Sequence, residues 1–142
     1  MNSVILILTG ILGATVTFYV SHSLKQGAVR ASALLSLIVG LFFYFFPSLL
    51  NVYLTTQIPI IFIGTSFIGM ISSEAKKHYG QLATAGVLFS IIYINKNHLF
   101  DGFGGALGAL AFIALLASLA FSFLFSKVLW RIQVYLRYRK NK

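Results

Sequence analysis

The residues able to do chemistry are few, and they gather in two short stretches. "TTQIP" places Thr55, Thr56 and Gln57 side by side, just before Pro59. "DGFGGALGAL" opens on Asp101 and continues through Gly102, Gly104, Gly105 and Gly108. Hydroxyl and amide oxygens beside one carboxylate form a donor set for an ion or a small polar solute. Asn51 and Asn95 could add two further amides. Thr55, Thr56, Gln57 and Asp101 are therefore the candidate lining of a polar cavity. The same groups also have a plainer use. Asp101 can cap the helix that follows it by accepting backbone N–H bonds. Left uncapped, those N–H groups and the helix dipole would favour an anion.

Other chemistry has little to work with. The chain has no cysteine, two acids (Glu74 and Asp101) and three histidines (His22, His78 and His98). Thiolate metal sites and cysteine nucleophiles are excluded. The histidines fall in three different loops, which argues against a zinc set. The glycine stretch lacks the later acid of a dinucleotide-binding fingerprint and the lysine of a phosphate-binding loop. No serine, histidine and acid converge as a triad. The sequence reads as non-enzymatic, with no metal and no cofactor.

The elements that position these residues are set by hydropathy. Of 142 residues, 58% are hydrophobic and 9% charged. A soluble domain is about 25% charged, and a chain this short cannot hide so much apolar surface in one water-soluble core. The expected class is an all-α, multi-pass integral membrane protein of the cell membrane with about five spans. The first run, "NSVILILTGILGATVTFYV", lacks the charged start and cleavage pattern of a signal peptide, so it reads as a span. The second covers residues 31–50. The third runs to Ser73, with a start near Gln57 or a kink there, because Pro59 has no N–H and crowds a preceding carbonyl. The fourth, 81–95, is short. The fifth follows the glycine stretch. Residues 1–126 are then the transmembrane domain and 127–142 a basic amphipathic cytoplasmic tail.

Charge gives the orientation. The net charge is +9, and ten of the eleven basic residues lie in 21–30, 74–80 and the tail; only Lys96 lies elsewhere. Five spans put those three regions on one side, so the positive-inside rule predicts the N-terminus outside and the C-terminus in the cytoplasm. The tail residues Lys127, Arg131, Arg137, Arg139, Lys140 and Lys142 are expected to hold the anionic lipid surface rather than nucleic acid. Trp130, Tyr135 and Tyr138 suit the interfacial layer.

Small residues at four-residue steps mark helix contacts, since without side-chain bulk two backbones approach closely. Gly64 and Gly69 in the third span, and Gly104, Gly105 and Gly108 in the fifth, are the expected packing positions. Ser32, Ser36 and Gly40 line the second span, and Gly10 with Ala14 the first. The fourth is the one span expected to lack such a groove. Similar texture in spans two–three and four–five suggests a two-helix repeat. Two functions fit: a small transporter or channel-like protein for an ion or small polar solute, or a non-catalytic accessory subunit. Five short helices make a thin wall for a pathway, which favours a homo-oligomer or a larger membrane complex.

Single cysteines introduced at Asn97 should label from outside in intact cells, and those at Lys77 or Lys140 only after permeabilisation. Labelling at Lys140 from outside would reverse the orientation.

Overall fold

A computed structural model describes residues 2–25, 27–71, 79–95 and 105–140, with 126–140 as backbone alone. The described residues form five helices: α1 (Asn2–Ser23), α2 (Ala28–Phe45), α3 (Val52–Gly69), α4 (Tyr79–Ile94) and α5 (Ala106–Lys140). Four of them contain apolar stretches long enough to cross a membrane: α1, α2, α3 and the Ala106–Phe125 part of α5. The fourth apolar helix, α4, has 16 residues, which at 1.5 Å per residue span about 24 Å. The chain is a multi-pass integral membrane protein.

Local chemistry sets the helix ends. The α1–α2 turn passes through the left-handed region at Gly27 (φ 81°), a conformation that costs glycine little. The end of α2 precedes Pro47, and the residue before a proline is pushed out of helical conformation; Phe46 sits at φ −122°, ψ 59°. The helix α3 begins at Val52, ahead of the start expected near Gln57, and continues through Pro59. Its first turn is reinforced by side chains. The Thr55 hydroxyl donates to the Asn51 carbonyl at 3.2 Å and the Thr56 hydroxyl to the Val52 carbonyl at 2.9 Å. Pro59 therefore falls after a secured first turn, where one missing donor does not stop the helix.

The helix α1 is the centre of the bundle. Its buried residues Leu6, Gly10, Gly13 with Ala14, Thr17 with Phe18, and Ser21 fall at successive steps of three or four positions and so form one face. That face packs against α3 and α4, with α2 beside α1 and α3, and α5 beside α4 and α3. The contacts are made backbone to backbone. A Cβ on Gly86 would lie 2.6 Å from the Gly10 carbonyl oxygen, and one on Gly10 would lie 2.8 Å from that of Gly86. A Cβ on Gly69 would lie 2.6 Å from the Ala14 carbonyl oxygen, and one on Gly13 would overlap the Thr65 hydroxyl. Lipid tails are as apolar as the helices, so no hydrophobic drive brings spans together; close dispersion contact does. Glycine at these positions makes that contact sterically open.

The fourth span thus corrects the sequence reading. It carries a small-residue face after all, with Gly86 and Ser90 one turn apart and both against α1. Ser90 donates to its own helix at the Gly86 carbonyl (2.9 Å) and reaches the Leu6 carbonyl across the interface at 3.3 Å. The outer helices are different. Only 11% of α2 and 22% of the apolar part of α5 are buried, against 50% of α3.

Substituting Gly86→Leu forces α1 and α4 apart, and overpacking of this kind costs roughly 1–3 kcal/mol. Gly40→Leu on α2 enters open space, with no atom within 4 Å of the new Cβ. Thermal unfolding in detergent should separate the two variants clearly; equal melting temperatures would contradict the close α1–α4 contact.

Candidate functional site

The helix α3 brings the "TTQ" residues to one end of the bundle, where α4 finishes. Gln57 meets α4 there, and its Oε1 accepts a hydrogen bond from the Tyr93 hydroxyl at 2.8 Å. Tyr93 is 7% exposed and stacks nearly parallel on Phe89, at 6.1 Å and 10°. Phe89 is fully buried, with its ring filling the place where a Gly64 side chain would stand. Gln57 and Gly64 lie two turns apart on α3, and Phe89 and Tyr93 one turn apart on α4. The four residues form one fitted unit: Gly64 admits the Phe89 ring, the ring supports Tyr93, and Tyr93 reaches Gln57.

The other sequence-predicted residues are placed as follows. Thr55 and Thr56 spend their hydroxyls on backbone carbonyls of the α3 entry, Thr55 also reaching the Pro47 carbonyl at 3.3 Å. Thr55, Thr56 and Gln57 thus each have a hydrogen-bond partner within the protein. Asn95 donates to its own helix at the Ile91 carbonyl, 2.8 Å away. Asp101, Gly104 and Lys142 lie outside the described residues. Gly64 and Gly69 sit in helix contacts. Gly105 and Gly108 do not: nothing lies within 4 Å of a Cβ at either. The face of α5 that packs inside the chain is instead Leu110, Ala111, Ala114 and Ser118. Lys127, Arg131, Arg137, Arg139 and Lys140 belong to the same continuous helix as the fifth span. The expected boundary at 127 is a change of composition within α5. At 35 residues, α5 is about 52 Å long, well beyond the ~30 Å hydrocarbon layer.

At the opposite end, sequence reasoning missed a second polar group. Gln81 donates through Nε2 to the Ser122 hydroxyl at 2.6 Å, and the Ser118 hydroxyl donates to the Gln81 carbonyl at 2.8 Å. The Thr84 hydroxyl lies 2.8 Å from that of Ser118. These residues are among the lining of an open groove of about 650 Å³ between α4 and α5, whose surface is almost wholly apolar, with Val87, Leu88, Phe121 and Phe125. Nearby, Ser32 of α2 donates to the Ser66 hydroxyl of α3 at 2.7 Å, since Ser66 itself donates to the Ile63 carbonyl. The signal for this group was the spacing of Gln81 with Thr84 and of Ser118 with Ser122, each pair on one helix face. Among the described residues, Thr17 and Ser36 have buried hydroxyls without a hydrogen-bond partner, and no three metal-ligating side chains of the His, Cys, Asp or Glu kind converge.

No protein-family profile, curated protein or solved structure matches the chain.

Removing the Tyr93 hydroxyl leaves Gln57 facing an apolar ring. A double-mutant cycle with Tyr93→Phe and Gln57→Leu should give a coupling of about 0.6 kcal/mol, the average for hydrogen bonds between membrane helices, whose maximum is about 1.7 kcal/mol. A coupling of zero by thermal unfolding would mean that the two side chains do not meet.

Proposed function

We propose that this chain is a small, non-catalytic membrane subunit in a transport-related role, acting as a homo-oligomer or within a larger membrane complex. Its solute class is an ion or a small polar molecule, as the oxygen-rich composition of 51–57 and Asp101 suggests. The observation carrying this reading is the open face of α5. Gly105 and Gly108 are small residues of the kind that lets membrane helices approach closely, and each faces space free of described neighbours. The chain's internal contacts use glycines on α1, α3 and α4, so the α5 glycines remain for contact with another chain. A polar route between chains fits this reading, because within one chain Thr55, Thr56 and Gln57 are already hydrogen-bonded to protein groups.

A specific observation favours the second reading, a purely structural accessory subunit. Gln57, the most promising solute ligand on α3, has its carbonyl oxygen on Tyr93. In that case the polar groups serve packing alone.

One experiment separates the two. The purified chain is cross-linked in detergent and reconstituted into liposomes for flux of a panel of ions and small polar solutes. The transport reading expects self-association and flux of at least one solute, both reduced by Gly108→Leu with no loss of melting temperature. Self-association without flux leaves the accessory reading. A monomer unaffected by Gly108→Leu contradicts the use of α5 as a contact between chains.

A further inference from the structure

We propose that α2 is a hinged arm, pivoted on α3 at Ser32 and free to swing outward at its far end. Its hold on the bundle weakens turn by turn along one face. Ser32 is 6% exposed and shares a hydrogen bond with Ser66 of α3 at 2.7 Å. One turn on, the Ser36 hydroxyl is buried and has no hydrogen-bond partner. One turn further, a Cβ on Gly40 would meet nothing within 4 Å. Burial follows the same order. The buried residues of α2 are Ala31 and Ser32, both near its start. Beyond them, Val39 and Phe43 lean on the core and are only partly buried. An element with few buried contacts opens at low cost.

Both ends of α2 permit the swing. Gly27 stands just before the helix at φ 81°, a region that glycine enters without a Cβ penalty. At the other end, residues 46–51 join α2 to α3, and a loop of that length reaches about 20 Å when extended. The tie holding this loop is shared: the Thr55 hydroxyl lies 3.3 Å from the Pro47 carbonyl and 3.2 Å from that of Asn51. The Ser36 hydroxyl biases the arm. A buried polar group without a partner costs free energy, so it opposes closure of α2 on the bundle. The far end of α2 is the end where Thr55 reaches the loop, so the swing opens the α2–α3 seam beside the α3 entry. This motion goes beyond the transport reading, because it is measured as a distance without any flux.

The test is double electron–electron resonance on the full chain in liposomes. The sequence has no cysteine, so spin labels attach only where cysteine is introduced. One pair, Phe45→Cys with Ile91→Cys, reports the far end of α2 against α4. A second pair, Val29→Cys with Gly80→Cys, reports its start against the same helix. Phe45, Ile91, Val29 and Gly80 are all exposed. The first pair should give a broad or two-peaked distance distribution and the second a narrow one. Ser36→Ala removes the unpartnered hydroxyl and should narrow the first distribution toward its shorter distance. Equal widths for the two pairs, or a first distribution that Ser36→Ala does not narrow, would overturn the proposal.

Discussion

The bundle depends on how closely α1 approaches α3 and α4. In water, two apolar helices associate because burial removes surface from solvent; inside a bilayer that drive is absent, and association rests on packing, hydrogen bonds and lipid entropy. The chain answers this with glycines at the crossing points. Gly10 and Gly86 set the α1–α4 contact and Gly69 the α1–α3 contact, in each case bringing backbone atoms to a distance at which a Cβ could not stand, while Gly13 makes room for the Thr65 hydroxyl. Polar side chains then fasten the periphery: Ser32 to Ser66, Gln81 to Ser122 and Tyr93 to Gln57. Each such bond is modest in a membrane, on the order of 0.6 kcal/mol, so they define register more than they supply stability.

The central position of α1 has a consequence for the two ends of the bundle. With α1, α3 and α4 consuming one another's small-residue faces, α2 and α5 are left as outer helices with most of their surface toward lipid or another chain. The polar groups divide accordingly. The Gln57–Tyr93 pair lies at one end beside a buried aromatic stack. The Gln81, Thr84, Ser118 and Ser122 group stays beside an open groove at the other.

Much of this architecture was legible in the sequence. An all-α chain of four to five long apolar helices followed from apolar run length, and small residues in the first and third spans marked Gly10, Gly64 and Gly69 as contact positions. Three features were not. The start of α3 at Val52 depends on threonine hydroxyls gripping the carbonyls of the first turn, which offsets the breaking signal of Pro59. The face of α4 went unseen because the bulky Val87, Leu88 and Phe89 stand between Gly86 and Ser90, so the small pair did not stand out. The direction faced by Gly105 and Gly108 is a matter of helix rotation: Ala111, Ala114 and Ser118 on the same helix supply an alternative face of small residues, and spacing alone cannot choose between them. For the polar residues, the sequence showed that Thr55, Thr56 and Gln57 are neighbours but not that each would find a protein partner, because Tyr93 and the carbonyls of Pro47 and Asn51 enter only with the fold.

The central claim is the backbone contact between α1 and α4, and a distance measurement in bilayers tests it most directly. A Cβ on Gly86 would lie 2.9 Å from the Gly10 carbonyl carbon; with a Cα–Cβ bond of about 1.5 Å, the Gly86 Cα and the Gly10 carbonyl carbon are no more than about 4.5 Å apart. Solid-state NMR on protein carrying carbon-13 at those two atoms should show a direct dipolar contact corresponding to that separation. Helices packed through ordinary side chains stand with axes about 8–10 Å apart, and the absence of a dipolar contact between the two labelled carbons would contradict the account.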